Sequence, residues 1–273
     1  MEKLQAALEK AREARNPTSP MAHQTHYDGT SRTKKNKGLQ TDLWEALTPI
    51  DVSDQHLSKH RVVTRQAGPS AAPFDILRTK VLLQMRQNGW KRLAITSPMP
   101  NSGKTTTACN LALGLGRQKD LRAILMDLDL RDPSVHSFFR ATPSHGIGDL
   151  LAGRVEFNDQ ALRIGDNVAV SMSLAAEGDP TRLLLAEETA DIINHIEREY
   201  KPDIMVFDLP SVLVNDDTRA FLKNVDCALI VARTNSTRYS QFDTCEREIA
   251  EQTNVLGTIL NAYLNVGTVS EQR

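Results

Sequence analysis

Short apolar runs that stop abruptly at a polar residue recur along the chain, and stretches with apolar residues every three or four positions lie between them. The runs at 93–95, 123–126, 167–172, 204–207, 225–232 and 256–260 have the length and near-continuous apolar character of buried strands. Helical spacing occupies 72–89, where Ile76, Leu77, Val81, Leu82 and Met85 recur, and 104–117, where Ala108, Leu111, Ala112 and Leu115 share a face. Two further helices are predicted over 180–200 and 238–251. The first has Asp179 as N-cap, Pro180 at its first position and Pro202 beyond its end. Residues 133–153 read as turn and short helix. Regular alternation of strand and helix predicts an α/β fold, a mostly parallel, doubly wound sheet with helices on both faces.

Ahead of this alternation the pattern changes. Residues 1–16 are expected to be an amphipathic helix with Leu4, Ala7, Leu8 and Ala11 on one face, stopped by Pro17. Residues 17–68 are polar and irregular, carry the basic run Arg32 to Lys37, and read as a flexible linker with a short apolar insert at 43–47. The folded domain is expected over 69–273.

Composition narrows the function. A net charge of −1 gives no global basic excess, so nucleic acid is not an expected partner. The cysteines Cys109, Cys227 and Cys245 are far apart and have no metal-ligand spacing, which suits buried thiols in a reducing cytoplasm. No stretch reaches the roughly 20 apolar residues that span a bilayer.

The chemistry gathers at three strand ends. The first is Ser97-Pro98-Met99-Pro100-Asn101-Ser102-Gly103-Lys104-Thr105-Thr106, between an apolar strand and a helix. That is a phosphate-binding loop. Unpartnered amides and the positive dipole end of the helix accept phosphate oxygens. Gly103 allows close approach. Lys104 reaches the β- and γ-phosphates, and the Thr105 hydroxyl ligates Mg²⁺. Pro98 stands where the common form of the motif has its first glycine. The second stretch is Asp127, Asp129 and Arg131 after the run at 123–126, and the third is Asp208 with Pro210 after the run at 204–207. Acids at the carboxyl ends of parallel strands face the ligand crevice, and the third has the form of a Walker B motif.

These motifs resemble, over about Pro73 to Asn265, the bacterial tyrosine kinases of capsule and exopolysaccharide loci, the CpsD/CapB type, whose P-loop NTPase fold is related to MinD and ParA. Three matches carry the likeness: S-x-x-P-x-x-G-K-[ST]-T at Ser97, Pro100, Gly103, Lys104, Thr105 and Thr106; D-x-D-x-R at Asp127, Asp129 and Arg131; and D-x-P at Asp208 and Pro210. The resemblance implies an ATP-dependent protein-tyrosine kinase. Lys104 and the loop residues Pro100, Asn101, Ser102, Gly103, Thr105 and Thr106 would bind ATP, with Arg131 and Asn261 as further nucleotide contacts. Thr105, Asp127, Asp129 and Asp208 would hold Mg²⁺, and Asp127 and Asp129 would also accept the tyrosine proton. The implied partner is a membrane polysaccharide chain-length protein, which would hold a cytoplasmic chain at the inner membrane. The likeness also implies a homo-oligomer.

Departures from the family pattern leave alternatives open. The tyrosines are Tyr27, Tyr200, Tyr239 and Tyr263, with no cluster at the carboxyl end to be autophosphorylated. The oligomerising motif E-x-x-R-x-x-R aligns with Ala72, Asp75 and Arg78 and keeps only its last position. A ParA/MinD-type ATPase is one alternative, but Met99 occupies the place of the extra lysine that class carries. A nucleotide-binding regulator without kinase activity is the other.

Overall fold

The structure, a computed structural model, describes residues 43–262. The amino-terminal helix expected over 1–16, most of the linker, and the tyrosines Tyr27 and Tyr263 lie outside the described residues.

An eight-stranded sheet carries the domain. Its strands are β1 (Thr48–Ile50), β2 (Arg92–Ser97), β3 (Ala123–Asp127), β4 (Leu162–Ile164), β5 (Val168–Ser171), β6 (Ile204–Ser211), β7 (Cys227–Arg233) and β8 (Asn254–Asn261). Their order is β1-β4-β5-β3-β6-β2-β7-β8. Every pairing is parallel except β4 with β5. The apolar run at 167–172 therefore has a partner that the sequence reading missed. β4 is only three residues long, too short to show a period of its own.

Helices cover both faces, as the alternation predicts. α1 (Asp54–Lys59), α2 (Ala72–Asn88), α3 (Lys104–Gly116) and α4 (Val135–Phe139) lie on one side, where Val81, Met85, Leu111 and Leu115 pack against Leu93, Ile95, Leu125 and Val206. The other side carries α5 (Ile147–Leu151), α6 (Phe157–Gln160), α7 (Pro180–Leu185), α8 (Glu187–Tyr200), α9 (Asp217–Leu222) and α10 (Tyr239–Ala250). There Ile193, Ile196, Phe221 and Ile249 meet Ala94, Ile124, Met126 and Phe207. Neighbouring residues of one strand thus go to opposite cores, the period of two that a pleated strand imposes.

Local chemistry sets the boundaries. α2 begins with a proline in its first turn and ends at Gly89, whose φ of 70° accepts the left-handed stop. The single helix expected over 180–200 is two. Asp179 caps the first by accepting from the Arg182 amide, but Ala186 turns extended. The Thr189 hydroxyl then donates to the Leu183 carbonyl, and Glu187 and Glu188 open a second helix at its positive end. In β6 the register against β2 slips between Ile95 and Ser97. The slip accommodates Pro210, which has no amide to give, while its carbonyl accepts the Thr96 and Thr218 hydroxyls.

The linker expected over 17–68 is corrected from residue 43 onward, because that part is folded. Trp44 and Leu47 are fully buried; Trp44 donates from Nε1 to the Tyr200 carbonyl at 3.0 Å and lies under the Arg122 guanidinium. Thr48–Ile50 forms the edge strand, and Val52, Leu57 and Val62 enter the core on the α3 side. These apolar residues come in short, irregularly spaced groups among polar ones and sustain neither period.

Candidate active site

The phosphate-binding loop joins β2 to α3 near the middle of the sheet. Gly103 adopts φ of 93°, and a Cβ built there would lie 2.1 Å from Asn261 Nδ2. The left-handed backbone therefore demands glycine, and a side chain there would also displace the Asn261 amide. Side chains hold the loop's carbonyls. Ser97 Oγ and Ser102 Oγ donate to the Met99 carbonyl at 2.8 and 2.7 Å, Arg233 Nη1 to that of Asn101 at 2.7 Å, and Asn261 Nδ2 to that of Ser102 at 2.9 Å. Among the described residues, the amides of Ser102 to Thr106 have no protein acceptor. With the carbonyls fixed elsewhere, these donors form the anion cradle at the helix tip. Lys104 is buried, and its Nζ lies 3.3 Å from Ser211 Oγ, which is 3.1 Å from Ser97 Oγ.

The two acidic strand ends converge beside it. Parallel register pairs Asp127 of β3 with Asp208 of β6, and both are fully buried. Asp127 Oδ2 accepts the amides of Ser134 and Val135 at 3.0 and 2.9 Å, whereas its Oδ1 and both Asp208 oxygens have no hydrogen-bond partner. Burial pushes the Asp127 carboxyl well above its usual range, and the charge of Asp208 adds to this. Asp208 is raised likewise by burial, which Lys104 and the Thr105 hydroxyl only partly offset. Asp129 is also raised by burial, against the pull of Lys104. Unpartnered buried carboxylate oxygens are costly. A hard divalent cation coordinated by oxygen would satisfy them, with Thr105 as a third donor. The residues thus fit Mg²⁺, which keeps waters and phosphate oxygens in the rest of its shell.

A cavity of about 470 Å³ opens over this group. Of the residues singled out from the sequence, Pro100, Asn101, Gly103, Lys104, Thr105, Thr106, Asp129 and Asn261 line it; Ser102, Asp127 and Asp208 are buried and not on the wall. Arg131 is also off the wall, because its Nε and Nη2 grip the buried Asp217 carboxylate at 2.6 and 3.0 Å. Several wall or support residues escaped sequence reasoning: Arg61, Phe74, Ser134, Phe138, Arg233 and Ser211. Only Ser211, directly after D-x-P, carried a positional signal.

No protein-family profile matches the chain. Curated relatives do. Tyrosine-protein kinase Etk of Escherichia coli is 26% identical over 207 residues, which is 74% of this chain and 28% of that protein. Tyrosine-protein kinase YwqD of Bacillus subtilis is 25% identical over 202 residues, 73% of this chain and 84% of that protein. A relative from Klebsiella pneumoniae, 27% identical over 198 residues, is placed by its name in the cps region, and the match covers 70% of this chain and 26% of that protein. The chain therefore spans only about a quarter of the length of Etk and of the Klebsiella relative. Among solved structures, the VpsO kinase domain matches with a TM-score of 0.63 and 26% identity, over 72% of this chain and 95% of that one. The kinase domain of E. coli Etk gives 0.67 at 21% identity, over 91% and 99%. The Pyrococcus horikoshii septum-site protein MinD, solved with Mg-ADP, gives 0.54 at 20% identity, over 63% and 70%. Bacterial tyrosine-protein kinases are thus relatives of this chain, and its fold is that of their kinase domains and of the MinD-like P-loop ATPases.

Proposed function

We propose that the domain is an ATP- and Mg²⁺-dependent protein-tyrosine kinase that regulates exopolysaccharide or capsule export. The observation that carries the proposal is the pair of unpartnered buried carboxylates, Asp127 and Asp208, beside a phosphate cradle and Lys104. Bound Mg²⁺ would neutralise charge on the β- and γ-phosphate oxygens; Thr105, Asp127 and Asp208 would hold it. The amides of Ser102 to Thr106 and the Lys104 ammonium would orient the phosphate chain, and Asn261, on the cavity wall with its Nδ2 on the Ser102 carbonyl, is proposed as a further nucleotide contact.

Asp127 and Asp129 were both candidates to take the tyrosine proton, and their surroundings separate them. Asp127 is sealed beneath the wall and locked to two amides, whereas Asp129 lies on the cavity surface. Asp129 is therefore assigned as the acceptor, its carboxyl raised above the usual carboxylate range by burial. As the tyrosine oxygen bonds to the γ-phosphorus, its proton passes to Asp129, the bridging P–O bond breaks, and ADP carries away the electron pair.

A membrane chain-length protein is the proposed partner. It would hold the domain at the inner membrane, since no helix among the described residues is long and apolar enough to cross one. Homo-oligomerisation is proposed with it. The test is incubation with ATP, Mg²⁺ and the cytoplasmic end of that partner, with phosphotyrosine mapped by mass spectrometry. Phosphotyrosine that disappears in Lys104→Ala and in EDTA is expected. Release of ADP and phosphate without phosphotyrosine would make the domain an ATPase instead.

A further inference from the structure

One wall of the cavity comes from chain that precedes the phosphate-binding unit altogether. Residues 61–64 run along α3 and are fastened to it by Asn110, which is fully buried. The Val63 amide donates to Asn110 Oδ1 at 2.9 Å, Asn110 Nδ2 donates to the Arg61 carbonyl at 2.9 Å, and the Thr64 hydroxyl donates to the Asn110 carbonyl at 2.6 Å. Asn110 Nδ2 also reaches the Thr106 carbonyl one turn earlier, so the strap is indexed to the helix that bears the cradle. Arg61 itself sits at φ of 59°, a left-handed conformation that costs a side chain energy unless its surroundings impose it.

This backbone puts Arg61 on the cavity wall with Thr105 and Thr106. Among the described residues its guanidinium makes no hydrogen bond or ion pair, unlike Arg233 and Arg131, which are both engaged. An exposed guanidinium with free N–H groups, on a backbone fixed at a cavity already lined with phosphate donors, has the chemistry to take a phosphate group, which arginine binds through two parallel bonds. We propose that Arg61 is a phosphate ligand of the nucleotide, so that the strap before the phosphate-binding unit is part of the site. This rests on the nucleotide-binding reading above.

Calorimetric titration of the full chain with ADP and Mg²⁺ tests it, with the Tm of each unliganded protein measured alongside. A charge-assisted hydrogen bond removed from a binding site costs about tenfold or more in affinity. Arg61→Gln should raise Kd by at least about tenfold, Arg61→Lys by less, and neither should change the unliganded Tm. Binding by Arg61→Gln within about twofold of the parent, with Lys104→Ala unable to bind, would overturn the Arg61 assignment and leave the nucleotide site standing. A parallel fall in the unliganded Tm would make Arg61 a structural residue and would also overturn it. A parent chain that does not bind ADP would overturn both readings.

Discussion

Two carboxylates buried opposite each other on neighbouring strands repel when charged, and a proton or a cation relieves them. Asp127 and Asp208 are both raised above the usual carboxylate range, Asp208 to about 7 from 3.8. Because the folded value exceeds the unfolded one, the folded state holds the extra proton. The resulting stability is fully present below the unfolded value and is lost as pH rises through the folded one. Without nucleotide and Mg²⁺ the Tm should therefore fall as pH is raised from about 5 to about 8. Each pK unit is worth about 1.4 kcal/mol, and 1 kcal/mol moves the Tm of a domain this size by about 2–4 °C. Asp208→Asn removes the charge without changing shape. At pH 8 it should raise the unliganded Tm by at least about 3 °C, flatten the pH dependence and abolish tyrosine phosphorylation. Thermal melts across pH, paired with a kinase assay, check this. A lower Tm in Asp208→Asn would mean that the pair does not repel.

At the scale of elements, two attachments decide how the site is held. The first is the Arg131–Asp217 pair, which ties the loop after β3 to α9 after β6, with the Thr181 hydroxyl of α7 as a third member. Asp217 is fully buried and Arg131 about half exposed. Arg131→Ala leaves a buried charge with less compensation; solvent reaches the pair, so a loss of about 2 kcal/mol is expected rather than the larger cost of a dry pair. In urea titrations Asp217→Asn should recover part of that loss when added to Arg131→Ala, because the charge left stranded is gone. The second attachment is the amino-terminal segment, anchored by Trp44 between Tyr200 and Arg122. Trp44→Ala opens a cavity in the core under α8 and should cost about 3 kcal/mol, or a Tm lower by about 6–12 °C. An unchanged Tm would mean that residues 43–50 are a tether after all.

Across the whole molecule, what the sequence shows and what it hides follow from range. Six of the eight strands are legible as apolar runs; five of them are covered on both faces and need no partner to declare themselves, while β8, at the sheet edge, is only part-buried. Lys104, Asp127, Asp129 and Asp208 are legible because the chemistry sits where those runs stop. β1 and β4 are hidden by their three-residue length, and Arg61 because its place depends on a side chain 49 residues away, Asn110. Arg131 misleads: D-x-D-x-R puts it near the acids in sequence, and Asp217 draws it off the wall. The parts nevertheless meet at one end of the sheet, so a ligand there should stabilise the whole domain. ADP with Mg²⁺ at about 100 times Kd contributes about 2.7 kcal/mol if only the folded state binds. That is a rise of roughly 5–10 °C in Tm for a domain of this size. The rise should be lost in Lys104→Ala and much reduced when EDTA replaces Mg²⁺, because the acids beneath the cavity then oppose the phosphates. An equal shift with and without Mg²⁺ would show that Asp127 and Asp208 do not serve a cation, leaving their burial without compensation.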